Sequence, residues 1–449
     1  MNINRRTALA RMGAGMGTLG LFNSLQAATG MAPHFAPRAK RVIHLFMNGG
    51  PFGPDFLDPK PALKKFEGQR PAGTDLRTER PTGGLLDAPF KYARHGQSGL
   101  PVSELLPHTA RFADDLCVLR SMHTDNPNHG PALLLMNNGT MTPKVPSMGA
   151  WMSYGLGTEN ANLPAYIVLC PGRPVRFSIL WNSAFLPSQH QGVYINHSKI
   201  APKEMIPWLR NAKLDPAAQR RQLDLMQALN REHLAQQGTP DPALEGRIAA
   251  METAYRMQFA ATDAFDIAKE PARVRETYGK GHFANGCLLA RRLSERGVRF
   301  IQVYYGNGQP WDTHRSHNKT TPNLAKNIDQ PMAALLGDLK ERGMLEDTLI
   351  VWGGEFGRTP VSENGNGRDH NPHGFMMWLA GGGVKGGMTY GESDDFGFKA
   401  AQNRMHIHDL HATLLHLLGI DHERLTYRHA GRDFRLTDVH GHVAKEILA

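Results

Sequence analysis

The chain has 449 residues, of which 41% are hydrophobic and 20% charged, and this balance excludes a disordered protein. Its length predicts two or three domains, or one large α/β unit. No apolar run reaches the roughly 18 residues of a membrane span, and three cysteines cannot build a disulfide framework. The net charge of +10 comes without basic runs interleaved with aromatic residues, so we expect no nucleic-acid partner.

The N-terminus is typical of a twin-arginine export signal. Arg5 and Arg6 form the arginine pair, a mildly apolar and glycine-rich stretch follows over residues 12–25, and Ala27 supplies a small residue for cleavage. We therefore expect residues 1–35 to be a signal peptide and linker, with the twin-arginine export machinery as a partner. The mature bacterial protein would work in the periplasm or outside the cell. An ordinary basic, amphipathic N-terminus is the alternative.

Short apolar runs that alternate with helical segments predict an α/β fold, with a mostly parallel central sheet covered by helices on both faces. Residues 203–280 are rich in Ala, Gln, Arg, Leu and Glu at helical spacing, which predicts a helical insertion within a domain of residues 36–449. The predicted strands are residues 41–47, 116–121, 165–170, 298–305, 348–352 and 375–380, and the other predicted helices begin at 132 or span 281–296, 328–342 and 411–418.

Polar clusters follow three of the predicted strands, and a fourth cluster comes shortly after the third. Ligands bind at the carboxyl ends of strands in such sheets, so we expect these four loops to meet at one edge. Their carboxylates and imidazoles suit one or two divalent ions, such as zinc, manganese or calcium. Each cluster alone also fits turn caps or surface histidines. The candidate metal ligands are Asp55, Asp58, Asp312, His314, His317, Glu355, His370 and His373.

A second group of histidines, near the C-terminus, favours a structural interpretation. His406, His408, Asp409 and His411 directly precede or begin a predicted helix. Aspartate is common in the first turn of a helix, where it caps free backbone N–H groups. We therefore expect these four residues to stabilise the start of that helix.

A set of motifs spread over residues 40–445 carries a family resemblance. The motifs lie at residues 46–51, 55–61, 311–314, 354–360, 368–370, 381–391, 409–419 and 431–434. As a set, they resemble the DUF1501 family of exported proteins, in the alkaline phosphatase and sulfatase superfamily. The resemblance implies a central sheet of the alkaline phosphatase type and metal positions among the candidate ligands. It also implies an anionic ester, or a sulfated or phosphorylated glycan, as the substrate.

The sequence departs from the superfamily pattern at two places. Glu355-Phe356 stands where proven hydrolases usually carry Asp-His, a change that would remove one ligand and leave a one-metal site. The ten-residue offset that marks the sulfatase nucleophile lands on His129, so formylglycine maturation is excluded at that position. His129 could be a phosphoryl acceptor, a metal ligand or a structural substitute. Arg358 and Arg368 are candidates to neutralise the anionic ester, and with His129 they form the predicted catalytic set.

The sequence is consistent with three functions. The first is a metal-dependent hydrolase of phosphate or sulfate esters. The second is a non-catalytic binding or assembly protein of the cell envelope that keeps the fold, and the missing hydroxyl or thiol at position 129 supports it. A mutase or isomerase at the same metal site is a third.

Overall fold

The computed structural model describes residues 32–206, 213–237 and 241–449. Most of the predicted signal peptide and linker, residues 1–31, lies outside the described residues, as do residues 207–212 and 238–240 of the predicted helical insertion. Across these described ranges, no helix is both long enough and apolar enough to cross a membrane.

The described residues form strands and α-helices, with a run of helices over 202–295 and a run of strands over 348–406. The strands are β1 (Arg41–Phe46), β2 (Tyr92–His95), β3 (Leu100–Ser103), β4 (Leu116–His123), β5 (Tyr166–Cys170), β6 (Val193–Asn196), β7 (Phe300–Tyr304), β8 (Thr348–Gly353), β9 (Gly357–Glu363), β10 (Gly367–Asn371), β11 (Phe375–Ala380), β12 (Met388–Tyr390), β13 (Glu392–Ser393), β14 (Ala400–Gln402), β15 (Met405–His406), β16 (Tyr427–His429) and β17 (Arg432–Phe434). The α-helices are α1 (Pro61–Lys65), α2 (His129–Asn138), α3 (Met148–Leu156), α4 (Pro202–Met205), α5 (Pro216–Gln237), α6 (Pro242–Ala264), α7 (Ala272–Tyr278), α8 (His282–Glu295), α9 (His317–Glu341) and α10 (Ile407–Leu417).

A nine-stranded sheet lies at the centre, in the order β12-β4-β11-β8-β1-β7-β5-β6, with β15 also paired to β4. Neighbouring strands are parallel except at β11, which runs antiparallel to both β4 and β8. The predicted α/β fold with a mostly parallel sheet is therefore confirmed. The reversed direction of β11 was not predicted, because a strand buried on both faces has the same apolar pattern in either direction.

Helices cover both faces of the sheet, and the alternation along β1 shows how. Ile43 and Leu45 point into a core that includes residues of α8 and α9, whereas Val42 and Phe46 point into a second core with residues of α2, α3 and α10. Successive side chains of a strand face opposite sides, so a strand between two helical layers is apolar at most positions, with buried His44 an exception in β1. This burial explains why the strands could be recognised as uninterrupted apolar runs.

The largest differences from the predicted elements are at the starts of two helices and in one predicted loop region. The helix predicted to begin at residue 328 begins at His317 and contains Pro322 and Pro331, which obscure its earlier turns in the sequence. The helix predicted at 411 begins at Ile407, where His406 and Asp409 form a capping box. The segment after β8, predicted as loops, contains the antiparallel hairpin of β9 and β10.

We expect Leu45→Ala to lower the free energy of unfolding by about 3 kcal/mol, because it leaves a cavity in a close-packed core. Leu45 is completely buried in β1. Leu229→Ala is the matched control, since Leu229 is 58% exposed and should change stability by less than about 0.5 kcal/mol. Urea denaturation of both variants measures the difference, and equal losses would contradict this description of the core.

Candidate metal centre

Three chain segments bring polar side chains to the carboxyl edge of the sheet. Strand β4 leads towards α2, which begins at His129; β7 leads to the loop of Asp312 and His314; and β8 leads to the hairpin that carries His370. Because β4, β7 and β8 run in the same direction, their carboxyl ends share one edge. Side chains that are far apart in sequence therefore meet there.

The four side chains of His129, Asp312, His314 and His370, here called the histidine cluster, converge on a single carboxylate oxygen. Oδ1 of Asp312 lies 2.9 Å from Nε2 of His314, 3.1 Å from Nε2 of His370 and 3.3 Å from Nε2 of His129. The Nε2 atoms of His129 and His314 are buried and make no geometrically acceptable hydrogen bond within the described chain. Buried polar atoms in proteins normally have a partner, so two buried nitrogens without a hydrogen bond indicate a further partner such as a cation.

A glutamate supports each histidine from behind. Every Nδ1 atom faces a carboxylate that can only accept a hydrogen bond, so Nδ1 donates its proton, and the Nε2 atom of the neutral imidazole would supply the lone pair to a cation at the centre. Carboxylates that orient ligand histidines in this way are a regular feature of metal sites. The pairs are His129 with Glu355 at 2.7 Å, His370 with Glu79 at 2.6 Å, and His314 with Glu363.

The electrostatics of the histidine cluster keep Asp312 ionised. Burial alone would raise the pKa of Asp312, but the contacts with the three histidines and Arg358 outweigh it and hold that pKa well below its usual range. Burial would also lower the pKa values of His129 and His314, yet hydrogen bonds to carboxylates raise them. The pKa of His370 is lowered, chiefly by burial. A permanently ionised carboxylate beside imidazole nitrogens is a donor set that a divalent cation can use.

Asp369 offers a further ligand that the sequence analysis did not single out. Its Oδ1 atom is buried and has no hydrogen-bond partner among the described residues, and one of its carboxylate oxygens lies within 4.8 Å of donor atoms of His314 and His370. A second, overlapping group joins His129, Asp312 and His370. Both groups are rich in imidazole, so the residues present fit zinc better than calcium or manganese, which prefer oxygen ligands.

The structure places Glu355 behind the histidine cluster, whereas the sequence analysis assigned it to the metal directly. The fully buried carboxylate accepts from Nδ1 of His129 and, at 3.2 Å, from the N–H of Gly49. These contacts occupy Glu355 with positioning His129. Glu355 was predicted to bind the metal directly, but in the structure it supports His129 instead.

Asp55 and His317 form a buried pair of their own. Nε2 of His317 lies 2.7 Å from Oδ2 of Asp55, and its Nδ1 lies 2.6 Å from the hydroxyl of Thr313. Burial lowers the pKa of His317. Both ring nitrogens of His317 are thus engaged, and neither residue of this pair belongs to the two groups of potential metal ligands found among the described residues.

Asp58 and His373, the other two predicted metal ligands, also have different partners. Asp58 lies 3.1 Å from the Lys60 ammonium and accepts a hydrogen bond from Ser393. Nε2 of His373 contacts the carbonyl of Arg77 at 2.8 Å, on the surface. These contacts remove both residues from the donor set. They were predicted because their loops follow strands of the sheet, and that position in the sequence does not reveal the direction of a side chain.

The two predicted anion-binding arginines are buried structural residues. Arg358 is 1% exposed, donates to the carbonyls of Gly49 and Gly50, and contacts Oδ1 of Asp312 at 2.7 Å. Burial lowers its pKa. Arg368 donates to four backbone carbonyls, at 2.9 to 3.2 Å, and covers the ring of Phe52. Arg358 thus balances the charge of Asp312, and neither guanidinium is presented to a substrate.

The structure defines an α/β protein with a candidate metal centre at the carboxyl edge of a mostly parallel sheet. Residues 39–448 match the family described as "Protein of unknown function (DUF1501)", and the chain belongs to this family. The sequence resemblance to DUF1501 is thereby confirmed. No curated protein matches the sequence.

The solved structures that the fold is similar to include sulfatases and related enzymes. The sulfatase PsFucS1 from Pseudoalteromonas sp. aligns at 13% identity and a TM-score of 0.34, over 86% of this chain and 69% of that chain. The C-terminal periplasmic domain of EcEptC from Escherichia coli, in complex with Zn, aligns at 9% identity and 0.35, over 87% and 86%. The phosphonate monoester hydrolase SpPMH from Silicibacter pomeroyi aligns at 15% and 0.28, over 70% and 68%. Similarity at this level assigns no activity to the chain.

We expect Glu79→Gln to weaken zinc affinity by roughly 10- to 100-fold, because loss of a supporting carboxylate usually costs that much. Glu79 is the carboxylate partner of Nδ1 of His370. Glu67→Gln removes the same charge from an exposed position nearby and should leave affinity unchanged. Competition with a chromogenic zinc chelator gives both values, and equal affinities in the two variants would argue against a supporting role for Glu79.

Proposed function

We propose that this protein is a metal-dependent hydrolase of phosphate or sulfate esters, exported by the twin-arginine route to the periplasm or beyond. The observation that carries the proposal is the convergence of three carboxylate-supported imidazoles on Oδ1 of Asp312. Export is supported by the arginine pair Arg5-Arg6 and the glycine-rich stretch that follows it.

A divalent ion held by the histidine cluster would supply electrostatic stabilisation to the negative charge of an ester undergoing hydrolysis. Residues of the chain orient the metal ligands and set the charge of the site. The glutamates orient the imidazoles, and Arg358 offsets part of the charge of Asp312. The site remains accessible, because the side chain of Asp312 is 24% exposed. A substrate group can therefore approach the cluster from solvent.

His129 fits the role of a metal ligand better than that of a covalent nucleophile. Its Nδ1 atom is held by the fully buried Glu355, and its Nε2 atom faces Asp312 within the cluster. A phosphoryl acceptor would need that same Nε2 lone pair to attack the substrate. Water would then attack the phosphorus or sulfur atom of the ester, so that its oxygen enters the released phosphate or sulfate while the ester bond breaks and the alcohol leaves with a proton from that water.

We expect the protein purified without added metal to contain near-stoichiometric divalent metal and to hydrolyse a chromogenic phosphate or sulfate ester. Asp312→Ala should lose the metal and reduce turnover at least about 100-fold, because it removes the shared carboxylate. Asp395→Ala, at an exposed aspartate, is the matched control. Elemental mass spectrometry and absorbance assays with p-nitrophenyl phosphate and sulfate measure both quantities.

Two other outcomes would count against the proposed hydrolase activity. Absence of metal after incubation with zinc, manganese and calcium would overturn the hydrolase proposal. Bound metal with no turnover of either ester would instead favour the non-catalytic envelope protein, which the lack of a hydroxyl or thiol at position 129 already suggests.

We expect replacement of Arg5 and Arg6 together by lysine to retain the full-length protein in the cytoplasm, because the twin-arginine pathway reads the arginine pair. Immunoblots of periplasmic and cytoplasmic fractions measure the distribution. A change of Lys64 and Lys65 to arginine alters two basic residues outside the signal and serves as the control. Unchanged export of the double-lysine variant would contradict the predicted route.

A further inference from the structure

A loop over residues 75–82, here called the rim loop, is fastened beside the histidine cluster. At its base, Arg70 binds Asp75 at 2.5 Å and the carbonyl of Thr82 at 2.6 Å, so one guanidinium closes the two ends. At its tip, the N–H of Arg80 donates to Oδ2 of Asp369 at 2.6 Å. Together with the contact from Glu79 to His370, these bonds fix the loop in place. Its side chains therefore have defined positions relative to the cluster.

Arg80 presents a partly free guanidinium at this rim. Its side chain is 48% exposed, and Nη1 lies 3.2 Å from Oε1 of Glu363. Glu363 in turn holds Nδ1 of His314, so the guanidinium stands one carboxylate away from a member of the cluster. The structure records no hydrogen bond from Nη2 of Arg80 to any described residue, which leaves one side of the fork for a ligand.

Arg176 places a second guanidinium beside the cluster. It packs against Gly130, the residue after His129, so closely that a Cβ atom at Gly130 would come within 2.9 Å of Nε and 3.0 Å of Cζ. Arg176 is exposed, and its side chain makes no hydrogen bond or ion pair with the part of the chain that is described. Its φ of 66° and that of Phe177, 38°, lie in the left-handed region that L-residues rarely adopt.

The buried Arg358 and Arg368 cannot contact an anion that arrives from solvent, as the exposed guanidinium groups of Arg80 and Arg176 can. Arg358 and Arg368 are enclosed, and their guanidinium groups are committed to backbone carbonyls and, for Arg358, to Asp312. An anionic ester that approaches the cluster from solvent meets the carboxylate of Asp312 there. Because Arg358 is already engaged with Asp312, exposed cations at the rim are the groups that would attract the anion and offset the remaining repulsion.

We propose that Arg80 and Arg176 bind the anionic group of the substrate, a phosphate or sulfate ester, at the rim of the histidine cluster. This inference rests on the proposed function. The planar guanidinium fork matches an oxyanion in two-point hydrogen bonding, which a lysine ammonium does not reproduce. Specificity for oxyanions thus comes from exposed arginines outside the cluster and not from the buried pair.

The test measures binding of inorganic phosphate and inorganic sulfate to the zinc-loaded, full-length protein by calorimetry. Arg80→Gln and Arg176→Gln should each weaken binding of the preferred anion about tenfold or more, because each removes a hydrogen bond to a charged group. Arg77→Gln, in the same rim loop, and Arg173→Gln, which lies over the ring of Phe177, are controls of equal charge. Both controls should bind the anion as the parent does.

Zinc content of every sample separates this inference from the proposed function. Arg80→Lys keeps a positive charge next to Glu363 but loses the fork, so it should retain zinc and still bind the anion more weakly than the parent. Anion affinity that depends on Arg80 and Arg176 in a protein without bound metal would support the anion site and contradict the hydrolase.

Three results would overturn the inference. The first is equal anion affinity in the glutamine variants and their controls. The second is no binding of either anion by the parent protein. The third is a loss of affinity that follows only the loss of zinc, since that would make the arginines supports of the metal centre.

Discussion

The geometry of the candidate site depends on one carboxylate oxygen, Oδ1 of Asp312, and on the close backbone approach that holds it in place. Gly49, at the carboxyl end of β1, has a φ of 114°, and a Cβ atom there would lie 2.5 Å from the backbone nitrogen of Asp312. The same glycine donates its N–H to Glu355. A residue without a side chain thus joins the end of β1, the loop of Asp312 and the support of His129.

Buried charge explains why the polar groups around the site are paired with one another. An isolated buried carboxylate or guanidinium is costly, so each must be paired and hydrogen-bonded. Arg358 satisfies this requirement by contacting Asp312 and the carbonyls that follow β1. Its burial therefore ties the charge balance of the cluster to the path of the chain. A cation bound among the imidazoles would also offset the negative charge of Asp312.

The sequence predicted six of the nine strands of the sheet, because burial on both faces leaves a continuous apolar signature, and it did not predict the short strands β6, β12 and β15. It also predicted that Asp312, His314 and His370 would lie at one edge, since they follow strands of a parallel sheet. It did not predict the supporting residues Glu79 and Glu363. Glu79 lies 291 positions before its histidine partner, and no local pattern encodes such a contact.

The direction of side chains was the other property hidden from the sequence. Asp369 and His370 are neighbours in β10, and both approach His314 because the hairpin has an irregular register between Arg368 and His370. A regular strand would point adjacent side chains to opposite faces. Spacing alone therefore could not show that Asp369 belongs near the cluster or that His373 does not.

Position 129 links the departure from the sulfatase pattern to the chemistry proposed for this chain. His129 is the first residue of α2, whose start is capped by the Asn128 side chain through the N–H of Gly130. A hydroxyl or thiol there would project a nucleophile, whereas the imidazole is turned into the cluster by Glu355. A single Nε2 lone pair cannot both bind a cation and attack an ester. Under the proposed function, His129 therefore acts as a metal ligand and not as a covalent nucleophile, and hydrolysis proceeds by attack of water.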